Sequence, residues 1–303
     1  PVTFVRTQDS RIDFDQINSS SVTVKGINSG GILSQGFSEP PKTTKQIVDD
    51  LLVQAADMYE IGDYRGAILA YNQVIRLTPN NSEALLYRGS AYNELGDKQA
   101  AIKDYNQAIK INPNYADAYY NRGVVRYDLG DKQGAIDDYN QAIKINPNYA
   151  DAYIGRGNVR YELGDKQGAI DDYILVIKIN PNDAQAYYNR GNVRYDLGDK
   201  QGAIDDYNLV IKIDPNDADA YRNRGNVRYD LGDNQGAIDD YNLVIKIDPN
   251  DAHAYYNRGN VYASLEDKFQ AISDFKQAAK LYQQQGENED YQNALNRIRE
   301  LQQ

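Results

Sequence analysis

The sequence of 303 residues contains no cysteine and a single histidine, His253. Without cysteine the chain can form no disulfide, thiolate metal site or cysteine nucleophile, although this absence leaves its redox compartment open. One histidine cannot supply a paired metal site, and we expect it to lie at the surface. No glycine-rich phosphate-binding pattern follows a strand. The sequence therefore predicts no catalytic residue, no metal site and no cofactor, and we expect the chain not to be an enzyme.

Positive charge and long apolar runs are also scarce. Lys and Arg total 33 against 44 Asp and Glu, a formal net charge of -11 that disfavours binding to a nucleic-acid backbone. No apolar run approaches the roughly 18 residues that span a bilayer, so membrane insertion is not expected. The chain begins at Pro1 without a basic and apolar leader. We expect a processed chain, secreted or at the cell surface rather than cytoplasmic.

Residues 1–44 differ from the rest because they contain no tyrosine, although the sequence has 27. Short apolar alternations, each followed by turn residues, predict three β-strands here. Their apolar residues, which are also the candidates for self-association, are Val2, Phe4, Ile12, Phe14, Val22 and Val24. Strands so short need a surface to pack on, either the first repeat of the same chain or a neighbouring molecule. A flexible linker is the alternative reading of this composition.

A unit of 34 residues, typified by residues 116–149, recurs seven times. The copies span residues 48–81, 82–115, 116–149, 150–183, 184–217, 218–251 and 252–285. Each copy has two blocks of apolar residues at helical spacing, which predict a pair of helices. Gly130 and Asp131 mark the turn between the two helices, and Pro147 marks the end of the second. Units repeated at such a period stack into a solenoid.

The places of the small, aromatic and proline residues resemble those of the tetratricopeptide repeat family. The eighth place is small, as at Gly123 and Gly157; the twentieth is alanine, as at Ala135; the twenty-fourth is aromatic, from Tyr71 to Phe275. The resemblance implies an all-α fold, a right-handed α-solenoid of seven helix pairs. We expect residues 45–285 to form these repeats and residues 286–303 to form a C-terminal capping helix.

Arginine departs from the family pattern at two places. The seventh place is arginine in every copy but the first, as at Arg122, and the eleventh is arginine in the middle copies, as at Arg126. Burying these charges unpaired would cost several kcal/mol each. We therefore expect them to pair with the aspartate doublets of the second helices, such as Asp137 and Asp138.

The N-terminal end of the array calls for a cover, because a terminal helix has no neighbour on one side. Thr43 and Gln46 have the spacing of a capping box at the start of the first helix. Ile47, Leu51 and Leu52 then predict that this helix is apolar. Residues 1–44 are the obvious cover.

The resemblance implies that the first helix of each repeat lines a concave groove, and the places that face it carry asparagine and tyrosine. An asparagine amide both donates and accepts, so a row of them can pair with an extended backbone without reading its sequence. Tyrosine adds rigid contact area and a hydroxyl. The candidate partner-binding residues are Asn121, Asn158, Asn189, Asn192, Asn223, Asn226, Asn257, Asn260, Tyr120, Tyr127, Tyr161, Tyr188, Tyr195 and Tyr229. The alternative is a polar inner face that duplication of the unit has repeated.

Two functions fit these patterns. The first is a non-enzymatic interaction scaffold that self-assembles into an oligomer or filament, with its N-terminal strands docking on a neighbouring subunit. The second is a monomeric adaptor that holds an extended peptide of a different protein in the groove. Both make protein the expected partner, either self or another chain, and the first predicts a homo-oligomer.

Overall fold

The computed structural model describes residues 42–303 as fifteen α-helices joined by short turns. The helices are α1 (Thr44–Glu60), α2 (Tyr64–Leu77), α3 (Ser82–Glu94), α4 (Lys98–Ile111), α5 (Ala116–Asp128), α6 (Lys132–Ile145), α7 (Ala150–Glu162), α8 (Lys166–Ile179), α9 (Ala184–Asp196), α10 (Lys200–Ile213), α11 (Ala218–Asp230), α12 (Asn234–Ile247), α13 (Ala252–Ser264), α14 (Lys268–Gln285) and α15 (Asn288–Gln302). The three predicted strands and their six apolar residues lie outside the described residues.

In the first six repeats the two helices are joined by a turn of glycine and aspartate. Gly130 follows α5 with a φ of 85°, a conformation that favours glycine because it has no Cβ. The Asp131 side chain accepts a hydrogen bond from the backbone N–H of Gly134 at 2.9 Å and so caps α6. That helix ends at Ile145, just before Pro147. The predicted helix pairs and their stop signals are confirmed.

Glu266 stands where the six preceding turns have glycine and has a φ of 62°, the only positive φ of a non-glycine residue in the region from 42 to 303. A left-handed conformation costs an L-residue roughly 1 kcal/mol. We expect Glu266→Gly to raise the free energy of unfolding by about 0.5–1 kcal/mol, measured by urea denaturation. Gly232→Ala, at a φ of 82°, is the matched control and should lower it. If Glu266→Gly leaves the urea midpoint unchanged, the turn stores no strain.

The core runs along the stack instead of filling a single centre, because each helix packs against its neighbours in the chain. In every repeat one aromatic residue of the second helix is almost fully enclosed, as Tyr207 is at 1% exposure. Its ring lies against the glycine at the eighth place of the first helix. A Cβ added to Gly191 would meet Tyr207 Cε1 at 2.9 Å, so this place has no room for a larger side chain.

The terminal helix α15 covers the last repeat as predicted. Ala294 is buried in a cluster with Tyr282, and Ile298 in a cluster with Phe275. The opposite side of α15 carries exposed polar residues, including Asn296. The array therefore ends in a polar surface, as a stacked solenoid requires.

The start of α1 confirms the predicted capping box, and the three predicted apolar residues lie on different sides of the helix. The Gln46 backbone N–H donates to Thr43 Oγ1 at 3.3 Å, and the Gln46 side chain accepts from the Thr43 backbone N–H at 2.8 Å. Leu51 and Leu52 pack inward on the cluster between α1 and α2. Only Ile47 of the three predicted apolar residues is exposed, at 38%.

The outer side of α1 is polar because the sequence changes at the places that meet a preceding repeat. In the later copies these places hold alanine and valine: Ala186 packs in a cluster with residues of the preceding repeat, and so does Val193. In α1 the same places are Asp50 and Asp57, and both side chains are exposed. On the side that would meet a preceding repeat, the described part of α1 therefore presents aspartates instead of alanine and valine, while Val53 of the same helix is 48% exposed.

Candidate functional site

The two arginines of each middle repeat share one buried aspartate. Arg190 donates from Nε to Asp206 Oδ2 at 3.0 Å and from Nη2 to Oδ1 at 2.5 Å, and Arg194 Nη1 donates to Oδ2 at 2.9 Å. Asp206 is 1% exposed. The predicted pairing is confirmed, but only for the second aspartate of each doublet. The first, such as Asp205, instead accepts a hydrogen bond from Gln201.

The same arrangement repeats at Asp138, Asp172 and Asp240. It also links neighbouring repeats, because Arg224 Nη1 donates to Asn208 Oδ1 of the repeat before it at 2.6 Å. Ile174 replaces that asparagine before Arg190, which lacks the bond. A network copied from repeat to repeat has a structural role, since a catalytic group would occur once.

Asparagines at the sixth and ninth places join consecutive repeats in the C-terminal half of the array. Asn223 Nδ2 donates to Asn192 Oδ1 of the preceding repeat at 3.1 Å, and the Tyr207 hydroxyl donates to the same oxygen at 2.7 Å. The two flanking boundaries have the same pattern, centred on the oxygens of Asn158 and Asn226. The ninth-place oxygen is therefore already used inside the protein at three consecutive boundaries.

Each such pair still leaves hydrogen-bonding groups for a partner. Among residues 42–303, the side-chain Nδ2 groups of Asn158 and Asn226 and the side-chain oxygens of Asn223 and Asn257 make no internal hydrogen bond. All four side chains are half-buried, so solvent reaches them. We call these four side chains the amide stripe. Asn121 and Asn260 lie at boundaries that lack this asparagine pair. Both side chains are also half-buried and predicted to contact a partner.

Asn189 and Asn192 differ from the other predicted asparagines because they are 1% and 3% exposed. Asn189 accepts a hydrogen bond from Gln185 and donates one to Asn158. Asn192 Nδ2 is enclosed without a hydrogen-bond partner in the described part of the chain. In this conformation a bound segment cannot reach either amide, so we leave both out of the contacts proposed below.

The predicted tyrosines at the twelfth place reach across repeat boundaries to acidic residues. The Tyr195 hydroxyl donates to Asp230 Oδ2 at 2.6 Å, and that hydrogen bond, together with burial, raises the pKa of Tyr195 to about 12. Lys200 Nζ lies 3.7 Å from the same carboxylate. Tyr127 and Tyr161 form equivalent bonds to the acids of the next repeats. These hydroxyl groups join neighbouring repeats, so only the faces of the tyrosine rings remain for contact with a partner.

The last boundary of this series is built differently. Ser264 replaces the acid and Asn234 replaces the lysine, so Tyr229 makes no such bond. The fifth-place tyrosines also pack internally: the Tyr120 ring centroid lies 5.1 Å from that of Tyr149, and Tyr188 accepts a hydrogen bond from an amide of the stripe. Within residues 42–303, Tyr229 is therefore the predicted twelfth-place tyrosine whose hydroxyl makes no internal hydrogen bond.

An acidic cleft of about 460 Å³ opens beside Tyr188. Its lining includes Arg222 and four aspartates, Asp217, Asp219, Asp248 and Asp251. Arg222 Nη1 lies 2.5 Å from Asp251, and a second nitrogen pairs with Asp219. Burial is the main cause that raises the pKa of Asp217. The sequence did not lead us to predict this cleft. The signal it contained was Arg222, which stands where other repeats have tyrosine.

The described region offers little to a metal or a membrane. Over residues 42–303 no group of three His, Cys, Asp or Glu side chains is placed to hold a metal ion. Within the same range no helix is long and apolar enough to cross a bilayer. His253 lies at the surface, as predicted, and its Nδ1 is 2.8 Å from the Tyr282 hydroxyl.

Stacked helix pairs with a repeated inner surface define the α-solenoid class of protein. Models of the TPR repeat match residues 57–96, 89–130, 157–198, 191–232 and 225–265, and models of the tetratricopeptide repeat match residues 116–149 and 252–285. The chain belongs to the tetratricopeptide repeat family. No curated protein sequence matches it.

Solved structures share this architecture. The chain is 30% identical to MamA over 58% of its own length and 96% of that chain, with a TM-score of 0.50. A tetratricopeptide repeat protein from Parabacteroides merdae is 23% identical, with 82% and 99% coverage and a TM-score of 0.60. YrrB, described as a TPR protein with an unusual peptide-binding site, is 21% identical, with 61% and 95% coverage and a TM-score of 0.53. The last two likenesses show the fold alone.

Proposed function

We propose that the chain is a non-enzymatic interaction scaffold that binds an extended segment of a protein partner along its inner helices. The observation that carries this proposal is the amide stripe, in which internal bonds leave unused donors and acceptors at successive repeat boundaries. An extended backbone presents N–H and C=O groups in alternation, so it can pair with both kinds of group. YrrB, a relative in fold, is described as having a peptide-binding site.

The charge of the surface favours a neutral or basic segment. The acidic cleft holds four aspartates against one arginine, and the whole chain has a formal net charge of -11. Burial raises the pKa of Asp151 as well, and the negative Asp183 nearby raises it further. A lysine or arginine of the partner would relieve this crowding of negative charge, and it would speed association at low salt.

The test replaces four asparagines that the structure leaves accessible: Asn121, Asn223, Asn257 and Asn260, each by alanine. We expect binding of the partner segment to weaken by more than about tenfold, because several hydrogen bonds of about 1 kcal/mol are lost. The measurement is co-precipitation from a lysate of the source organism, followed by titration of the protein retained by the wild type.

The matched control replaces four exposed asparagines in the turns between repeats, Asn114, Asn148, Asn182 and Asn216. This variant changes the same number of amides but leaves the inner helices intact, so it should retain the partner. Circular dichroism of both variants must show unchanged helix content. Equal retention by the two variants would rule out the inner surface as the binding site.

A second candidate function is self-assembly, in which the N-terminal strands predicted in residues 1–44 of one copy dock on a neighbouring copy. Apolar side chains on the first repeat favour it, because Ile61 is 80% and Leu69 64% exposed. A head-to-tail contact of this kind yields filaments unless the rotation closes a ring.

Light scattering distinguishes the two candidate functions. If self-assembly is the function, the full chain should form oligomers at high concentration, and deletion of residues 1–41 should give a monomer. If the full chain is itself monomeric under these conditions, the adaptor function stands alone.

A further inference from the structure

The boundary between the third and fourth repeats lacks the asparagine pair found at the three boundaries that follow it. Val124 occupies the ninth place of the third repeat, and Gly155 occupies the sixth place of the fourth. Neither can donate or accept through a side chain. We call the place bounded by Val124, Tyr139 and Gly155 the amide gap.

Tyr139 has lost its hydrogen-bond acceptor at this boundary. The equivalent Tyr173 and Tyr241 each donate to an asparagine oxygen at 2.7 Å. Tyr139 is 2% exposed, yet its hydroxyl has no partner within the region from 42 to 303. The hydroxyl is not among the fully enclosed unpartnered atoms of that region, which are Asn93 Oδ1 and Asn192 Nδ2. Solvent therefore reaches the oxygen of an otherwise buried tyrosine.

The missing side chain at Gly155 explains where this hydroxyl lies. A Cβ added to Gly155 would meet Tyr139 Cζ, the carbon that bears the hydroxyl, at 2.8 Å. The phenol end thus occupies the volume that a side chain at this sixth place would take. At the next boundaries the sixth place carries the asparagine that faces the amide stripe. The Tyr139 hydroxyl is consequently delivered to the inner surface, in line with that stripe.

We infer that the amide gap binds a carbonyl oxygen of the segment that lies along the inner helices. This inference rests on the proposed function and names one contact within it. At the next three boundaries the tyrosine hydroxyl donates to a carboxamide oxygen of the protein; here the bound segment supplies that oxygen. The Tyr120 ring, whose centroid lies 5.9 Å from that of Tyr139, and Val124 form an apolar wall that excludes water from the new hydrogen bond.

The first test uses the free protein and compares matched tyrosines. Tyr241→Phe removes a hydrogen bond and should lower the folding equilibrium constant roughly 2- to 12-fold. Tyr139→Phe removes a hydroxyl that has no internal partner, so it should leave that constant unchanged or raise it. Urea denaturation measures both. A loss for Tyr139→Phe as large as that for Tyr241→Phe would overturn the inference, because the hydroxyl would then have an internal acceptor.

The second test uses two small amides as probes of the two sources of a carbonyl oxygen. Acetamide represents an asparagine or glutamine side chain, and N-methylacetamide represents the peptide backbone. In NMR spectra of protein with isotope-labelled tyrosine, the ring signal of Tyr139 should shift as at least one probe is added and should reach a plateau. The ring signals of Tyr173 and Tyr241 should not shift. Absence of a saturable shift at Tyr139 with either probe would overturn the inference.

Val124→Asn supplies the missing acceptor from within and serves as the reciprocal variant. It should abolish the response of Tyr139 to both probes, because the hydroxyl then bonds to residue 124. A persistent response in Val124→Asn would place the probe elsewhere and contradict the inference. The outcomes also distinguish the two proposals. If the asparagine variants lose the partner but Tyr139 responds to neither probe, the scaffold function stands and only the inference about the amide gap is wrong.

Discussion

Asp206→Ala is expected to lower the free energy of unfolding by about 3–5 kcal/mol, the cost of leaving buried charges without their counterion. The carboxylate receives three charge-assisted hydrogen bonds at 2.5–3.0 Å from Arg190 and Arg194. Both arginine side chains are largely buried, at 13% and 26% exposure. Removal of the carboxylate would leave two cations side by side with reduced access to water. Urea denaturation followed by circular dichroism measures the loss.

The neighbouring Asp205 provides the matched control, because it differs by one place in the same helix α10. Its carboxylate is on the exposed side and accepts a single hydrogen bond from Gln201 at 3.0 Å. Asp205→Ala should change the free energy of unfolding by less than about 0.5 kcal/mol. Similar losses for the two variants would mean that the arginines find water or another anion, and that the buried network is not what stabilises the stack.

Alkaline unfolding is the second large effect that we expect, because each repeat from the first to the sixth encloses one tyrosine. Burial is the main cause that raises the pKa of Tyr71, Tyr105, Tyr139, Tyr173, Tyr207 and Tyr241. In the unfolded chain these hydroxyls titrate near pH 10. The folded state thus binds protons that the unfolded state releases. Their contribution to stability is complete below about pH 10 and is lost as the pH rises toward the folded pKa values.

The size of this effect follows from the number of enclosed rings. Each raised pKa costs about 1.4 kcal/mol of stability per pH unit above the unfolded value, so six together cost roughly 8 kcal/mol per unit. Domain stabilities are of the order of 5–15 kcal/mol. We expect the array to unfold within about two units above pH 10, with helix content falling as tyrosinate absorbance rises.

A single substitution provides the control for alkaline unfolding. Tyr241→Phe removes one titrating group, so the pH dependence of stability should become shallower by about 1.4 kcal/mol per unit above pH 10. Its stability near neutral pH falls only by the lost hydrogen bond to Asn226. If tyrosinate forms well before the helices melt, the enclosed rings do not hold their protons and this account is wrong.

The local features of the fold could be predicted because their causes lie within a few residues. Gly130 and Asp131 end one helix and begin the next through backbone conformation and a side-chain cap, and both signals are visible in the sequence. The terminal helix α15, Asn288–Gln302, lies within residues 286–303, where a capping helix was expected. The pairing of Arg122 with Asp138 also followed, since a charge cannot be buried without a partner.

The prediction for α1 was incomplete because it judged the helix by its apolar residues without assigning them to a side. Leu51 and Leu52 are apolar, but they point into the array, while Asp50 and Asp57 occupy the side that no other helix of residues 42–303 covers. Comparison of the first copy with the later ones, place by place, would have shown the exchange of alanine and valine for aspartate. The signal was in the sequence, but its meaning depended on knowing which places meet the preceding repeat.

The sequence by itself determined the repeat, the helix pairs and the family, because the period and the turn residues are set by interactions between residues close together in the chain. Only the tertiary structure decided which polar groups remain for a partner. The asparagine bonds join residues 31 positions apart, and the tyrosine bonds to acids join residues 35 apart. Such bonds depend on how one repeat stacks on the next. That stacking buries Asn192, leaves Asn223 half-buried and places the enclosed ring of Tyr139 against Gly155 of the next repeat.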